Sequence, residues 1–299
     1  MTLLDSPALD GAGNTGTTPL RLVSAEIMKI RTTKSWWLFL AGFILFTAVA
    51  LVNNGFSHHY QLYPQHDLSD RAQALAQAAQ ARTPAGVAAI AASMMTSGQF
   101  LSVLFAMLLG VHIMTSEFAQ QTATATFLTV PRRTRVIVAK LAAAACFGAL
   151  FWLIATIIDG VTTPVFLHSQ HVSTSLTGWI VIRSVLLSLL AFVGWAIFGT
   201  GLGALLRSEV VSVVAGIGIY AGGFAAVELV FHALYQLDRQ GWILAAPVIA
   251  PAVASDVMIT PGRAFPHAPP QWVGAAVMAG YAVALTAAGI AVIRRRDVI

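Results

Sequence analysis

Residues 117–140 read EFAQQTATATFLTVPRRTRVIVAK: a carboxylate and an ammonium bracket a threonine-rich stretch, a proline and three arginines. Such a segment makes and breaks no bonds. Its first half suits a short helix, Pro131 stops that helix, and the arginines offer charge to water or to a protein. Set between two long apolar runs, it has the make-up of a cytoplasmic lever on which another protein pushes. Other groups with chemistry in them are few. Residues 11–18, GAGNTGTT, imitate a phosphate-binding loop, but Thr17 stands where the lysine is required, and neither a flanking strand nor a helix is indicated. His58, His59 and His66 are spaced across Pro64 on no common helix face and have no cysteines or glutamates beside them, so they read as loop histidines rather than metal ligands. HExxH and GxSxG are absent from the sequence. Glu228 lies 19 residues beyond Glu209, about 28 Å along a helix, which brings it near a headgroup boundary at the depth of Arg183 and Asp159. A snorkelling or Arg-paired glutamate fits that place better than a catalytic one. The lone cysteine, Cys146, allows no internal disulfide and reads as a small packed hydrophobe. These residues argue against an enzyme.

The elements that must carry the lever follow from composition. Apolar residues make up 57% of the 299 positions and charged ones only 10%, with a mean hydropathy of +0.77. A soluble domain is nearer half apolar and a quarter charged. The fold class is therefore an all-α membrane protein. A net charge of +5 invites nucleic acid, but the basic residues flank apolar runs instead of forming one face, which excludes it. Six crossings are expected, at about 36–52, 99–115, 138–158, 182–206, 210–231 and 272–293. The N-terminal flank, the loop after the second crossing, the turn after the fourth and the C-terminus then hold twelve of the seventeen Lys and Arg. The positive-inside rule puts that face, and both termini, in the cytoplasm of a multi-pass cell-membrane protein.

Around the six spans lie smaller features. Residues 1–19 carry two aspartates and no basic residue, so no signal peptide is expected and the tail reads as disordered and cytoplasmic. Residues 20–34 place Leu20, Val23, Ile27 and Ile30 on one arc, with Arg21 and Lys29 away from it, the pattern of a basic interfacial helix. The transmembrane domain then occupies residues 35–299. In the long external segment 58–90, Ser69 would cap an alanine-rich helix reaching Ala81, and Pro84 would start another. Residues 242–254 are apolar but too short to cross and contain Pro247 and Pro251, which suggests a re-entrant or interfacial hairpin between spans five and six, with an ordinary surface loop as the alternative. Gly199, Gly201 and Gly203 suit close helix packing, as do Gly216, Gly218, Gly222 and Gly223, where a bend is also possible.

With these spans in place, three motifs bring the chain close to the type-2 ABC exporter permeases, in particular the single-domain, six-span kind common in high-GC Gram-positive bacteria. Residues 24–33, with Glu26, Lys29 and Arg31, resemble the family's opening E-x-x-K-x-R-T-T before a Trp-bearing span. Glu117, Phe118, Thr122, Thr126, Leu128, Pro131, Arg133 and Lys140 resemble its ATPase-coupling segment, with Gln121 where the family often has glycine. Arg295, Arg296, Asp297 and Val298 resemble its usual ending. The resemblance implies two permease copies, identical or closely related, above two separate ABC ATPase subunits that bind ATP and Mg; this chain itself would hold no cofactor. Residues 20–33 would be an elbow helix, and residues 117–131 would dock on the ATPase. Spans one, two and five would line the path of an amphipathic, lipid-like or drug-like cargo, with Phe100, Phe105, Met107, Tyr220, Phe224 and Glu228 facing it. Two other functions compete. An ion-coupled secondary transporter would need midplane carboxylates and inverted repeats, and a non-transporting scaffold or sensor subunit would need no cargo.

Overall fold

The computed structural model describes residues 19–64, 71–119, 133–173, 176–261 and 267–295, and among them every regular element is a helix. In chain order they are α1 (Pro19–Thr32), α2 (Ser35–Leu62), α3 (Arg71–Ala81), α4 (Pro84–Met94), α5 (Val103–Ala119), α6 (Arg133–Ser169), α7 (Trp179–Leu206) and α8 (Glu209–Asp238). The short α9 (Gly241–Ala245) and α10 (Pro251–Ile259) follow, then α11 (Gln271–Arg295). Five of them, α2, α6, α7, α8 and α11, are long and apolar enough to cross a bilayer. With 17 residues, about 25 Å, α5 is at the lower limit for crossing. Gly241–Ile249 and Pro251–Ile259 together have the length of a span, but the chain bends by 104° between them. The protein is an all-α, multi-pass membrane protein.

Backbone approach decides which helices form the centre. A Cβ on Gly110 of α5 would lie 2.1 Å from the Ala196 carbonyl oxygen of α7, and one on Gly199 would lie 2.0 Å from that of Met107. The two helices therefore cross at backbone contact, as small residues permit. The third glycine face holds α11, since a Cβ on Gly201 would be 3.0 Å from Leu285. Around this crossing Phe43, Phe151, Phe192, Trp195 and Phe198 fill the core, with Phe43 stacked on Phe151 at 4.6 Å between centroids. The eighth helix joins only along its first half. Ser212, Gly216 and Tyr220, four residues apart, are buried, and nothing from Gly223 to Asp238 is. Between the halves, Gly218–Gly222 form a π turn, and a Cβ on Gly218, Gly222 or Gly223 would meet nothing within 4 Å. The fifth-span glycines beyond Gly216 thus permit a bulge rather than a packing contact.

Several expectations need correction. Helix α2 continues ten residues past position 52, so His58 and His59 are helical, not loop residues. Polar partners hold them there: His58 Nε2 lies 3.1 Å from Ser93 Oγ, and His59 Nδ1 lies 2.8 Å from Gln170 Oε1. Asp159 does not end its helix, because α6 runs on through Pro164 to Ser169. Phe100 precedes α5, in the turn that follows residues 97–99. Cys146 is exposed rather than packed. It lies on the outward face of α6, in a shallow groove with Ile27, Arg31 and Trp36. Pro84 starts a helix as expected, capped by Thr83, whose hydroxyl accepts from Gly86 N at 3.2 Å. Ser69 and the tail 1–18 lie outside the described residues.

Candidate functional site: a charged joint of three helices

On α1 the residues turned toward the bundle are Val23, Glu26, Ile27 and Ile30, one face of a 3.6-residue helix. Leu20, expected on this arc, is 80% exposed. Glu26 takes an inward place because two cations meet it. Its Oε2 accepts from Lys140 Nζ of α6 at 2.9 Å and its Oε1 from Lys29 Nζ at 3.1 Å. Glu117, near the end of α5, accepts from the same two lysines, Lys140 at 3.2 Å and Lys29 in a short hydrogen bond. Lys29 therefore bridges α1 to α5 instead of pointing away from the bundle.

The balance is two carboxylates and two ammonium groups, alternating. Lys140 is 1% exposed and uses all three of its N–H donors, on Glu26, Glu117 and the Ile113 carbonyl oxygen at 3.2 Å. Such satisfaction is what makes a buried ammonium tolerable, since an unpaired buried charge costs several kcal/mol. Burial opposes the charge on Lys29. Its hydrogen bond to Glu117 and the two nearby carboxylates outweigh that, and its pKa stands above the ordinary lysine value.

Neighbouring contacts gather more elements at this end. His112 Nδ1 of α5 lies 2.7 Å from Glu209 Oε1 at the start of α8. Arg207, in a left-handed conformation after α7, donates to the Val292 carbonyl oxygen at 3.0 Å and stands 6.0 Å above the Phe118 ring. Phe118 packs against the small cluster of Met114, Ile137 and Ala204. Chain segment 120–132, with Thr122, Thr126, Leu128 and Pro131, lies outside the described residues. Its two roots do not: α5 delivers Glu117 two residues before Ala119, and α6 starts at Arg133 and carries Lys140 two turns on. These roots meet at a joint that ties α1, α5 and α6 together. Arg31 takes no part in it and is exposed.

The residues expected along a transport path do not form one surface. Phe100, Tyr220 and Phe224 come together, with ring centroids 6.0 and 5.2 Å from Phe100, and Tyr220 Oη donates a hydrogen bond to the Phe100 carbonyl oxygen. Phe105 packs on Phe46 of α2 at 5.2 Å. Met107 is fully buried in the α5–α7 crossing, its Cε under Gly216, and so belongs to the core. Glu228 is exposed on the free half of α8, and among the described residues no salt bridge joins it to Arg183. Sequence reasoning passed over the His112–Glu209 contact; a histidine within an apolar run was the available signal.

A family model described as ABC-2 family transporter protein matches residues 22–223, two thirds of the chain. The chain belongs to the ABC-2 transporter family. A comparison with curated proteins gave no match. In this ABC-2 permease the matched region contains all four residues of the joint and ends just past the π turn of α8. Membership makes the chain the membrane component of a transporter and implies an ABC ATPase as its partner.

Proposed function

We propose that the chain is the transmembrane subunit of an ATP-driven exporter, coupled through the segment 120–132 to a separate ATPase that binds ATP and Mg. The observation that carries this reading is the joint itself. Glu26, Lys29, Glu117 and Lys140 converge at the roots of the one long basic connection in the chain. A neutral, fully paired cluster is stiff, so a push on the segment turns α1, α5 and α6 as a unit. With α1 as an elbow at the membrane boundary, ATPase closure would bias the bundle between two states. The excess of Lys and Arg at this end supports a cytoplasmic orientation for it, and for both termini, in the cell membrane.

Two copies, identical or closely related, would enclose the path. The aromatic group of Phe100, Tyr220 and Phe224 supplies an apolar wall suited to an amphipathic cargo, with Phe105 on the neighbouring α2 face and Glu228 beyond. The bent pair α9–α10 would close it as a re-entrant gate. Co-expression with its ATPase tests the reading. The wild-type permease is expected to co-purify with the ATPase and stimulate cargo-dependent hydrolysis. Glu117→Lys should return hydrolysis to the basal rate, and the exchange Glu117→Lys/Lys140→Glu should recover part of it. Co-purification of no ATPase, together with transport unimpaired in Glu117→Lys, overturns the proposal. Uptake driven by an ion gradient without ATP would instead make the chain a secondary transporter.

A further inference from the structure

At the other end of the bundle the coupling reading leaves a carboxyl unused. Asp159 of α6 is 1% exposed, and its Oδ1 is buried without a hydrogen-bond partner. The backbone N–H of Ser97 donates to the carboxyl. One turn further along the same face, the hydroxyl of Thr163, a residue 0% exposed, is also buried and unpartnered. The surroundings supply hydroxyl and amide groups rather than charge. Asn54 Nδ2 of α2 donates to Ser97 Oγ at 3.1 Å, and Ser97 Oγ donates to the Met94 carbonyl oxygen at 2.8 Å.

Charged and titratable groups on the packed elements are engaged elsewhere. From α2, His58 bonds Ser93 and Gln61. From α7, Arg183 is exposed beside Ala85 and Gln271, and Ser184 and Ser188 are spent on Ile259 and Val185 carbonyl oxygens. The 93–99 stretch contributes no charged residue. Among the described residues no ion pair reaches Asp159, and no group of three His, Cys, Asp or Glu could hold a metal ion.

A bare carboxylate in such a place is strongly disfavoured, and a hard metal cation would need about six oxygen ligands where two are free. A proton needs neither a counter-charge nor a ligand shell. We propose that Asp159 is a proton-binding site: its carboxyl is held as the neutral acid in this packed arrangement. The proton comes from water and returns to it, leaving carboxylate. An exchange route begins one turn away at Thr162, in an apolar groove of about 510 Å³ walled by Leu51, Gly55, Met94 and Phe166. The groove's mouth carries His59 and Gln170. Protonation thus favours the closed packing of α6 on α2 and the 93–99 turn, and opening this end to water releases the proton.

Infrared spectroscopy of the purified protein in nanodiscs tests the site directly. At neutral pH the wild type is expected to show the carbonyl stretch of a protonated carboxylic acid, moving to lower frequency in D₂O. The band should vanish in Asp159→Asn and persist in Asp256→Asn. Should Asp159→Asn not fold, Asp159→Glu still decides the matter: it should move the band to a different frequency, and a band left unmoved overturns the proposal. Absence of the band in the wild type, or its undiminished presence in Asp159→Asn, overturns the proposal. So does a rise in melting temperature with sodium but not with choline that Asp159→Asn abolishes, because a metal cation would then neutralise the carboxylate.

Discussion

Lys140 is a lone cation inside an apolar run, and its environment explains how it is kept there: two carboxylates and a backbone carbonyl oxygen surround an ammonium that is 1% exposed. Replacing it by methionine leaves Glu26 and Glu117 buried with only Lys29 between them. Breaking one partner of such a pair costs about 3–5 kcal/mol, so Lys140→Met should show a large drop in melting temperature. Glu26→Gln in the same chain should restore part of it, the coupling being read from the double-mutant cycle. Lys29 is different, with a side chain 45% exposed, and water can replace part of what it loses. Its folded pKa is raised, so its contribution is fully present below the unfolded value, near about 10.4, and is lost as pH rises through the folded one. Thermal unfolding followed into that alkaline window should show a decline in the wild type that Lys29→Met lacks.

The helices themselves were legible from hydropathy, and their contacts were not. Glycines along α7 suggested close packing, but only the crossing with α5 tells which carbonyl each one meets. A side chain at Gly110 or Gly199 has no room: Gly110→Val or Gly199→Val should push α5 and α7 apart and lower folded yield, measured by size-exclusion chromatography in detergent. Gly222→Ala should behave oppositely. Nothing lies within 4 Å of its added Cβ, and alanine favours helix over glycine by about 1 kcal/mol, so the melting temperature should hold or rise slightly. Helix ends were the least legible part. The first span was expected to end near position 52, whereas in the fold Asn54, His58 and His59 bond Ser97, Ser93 and Gln170 and the helix simply continues.

For the whole molecule, the free half of α8 is the feature that most needs a partner. It exposes Leu229 and Leu237 beside polar Glu228, His232 and Gln236, a mixture that suits protein or an aqueous path better than lipid tails. The outward face of α11, by contrast, is uniformly apolar around Val283. If a second permease copy covers α8, Leu229→Cys in a Cys146→Ser background should give a disulfide-linked pair in membranes on mild oxidation. Val283→Cys in the same background should not, as read on non-reducing gels.

What the chain determined on its own was the solvent and the helices: too few charges for water, apolar runs long enough to cross, and basic residues gathered at their flanks. It also marked Glu26, Lys29, Glu117 and Lys140 individually, through the motifs in which they resemble the family. Only the tertiary structure decided that these four are one another's partners, that Met107 is buried at the α5–α7 crossing, and that among the described residues no ion pair reaches Asp159. Hydropathy is a local sum that any window of sequence reveals. Charge neutralisation is a matter of distance between residues up to 114 positions apart, and that distance exists only once the helices have packed.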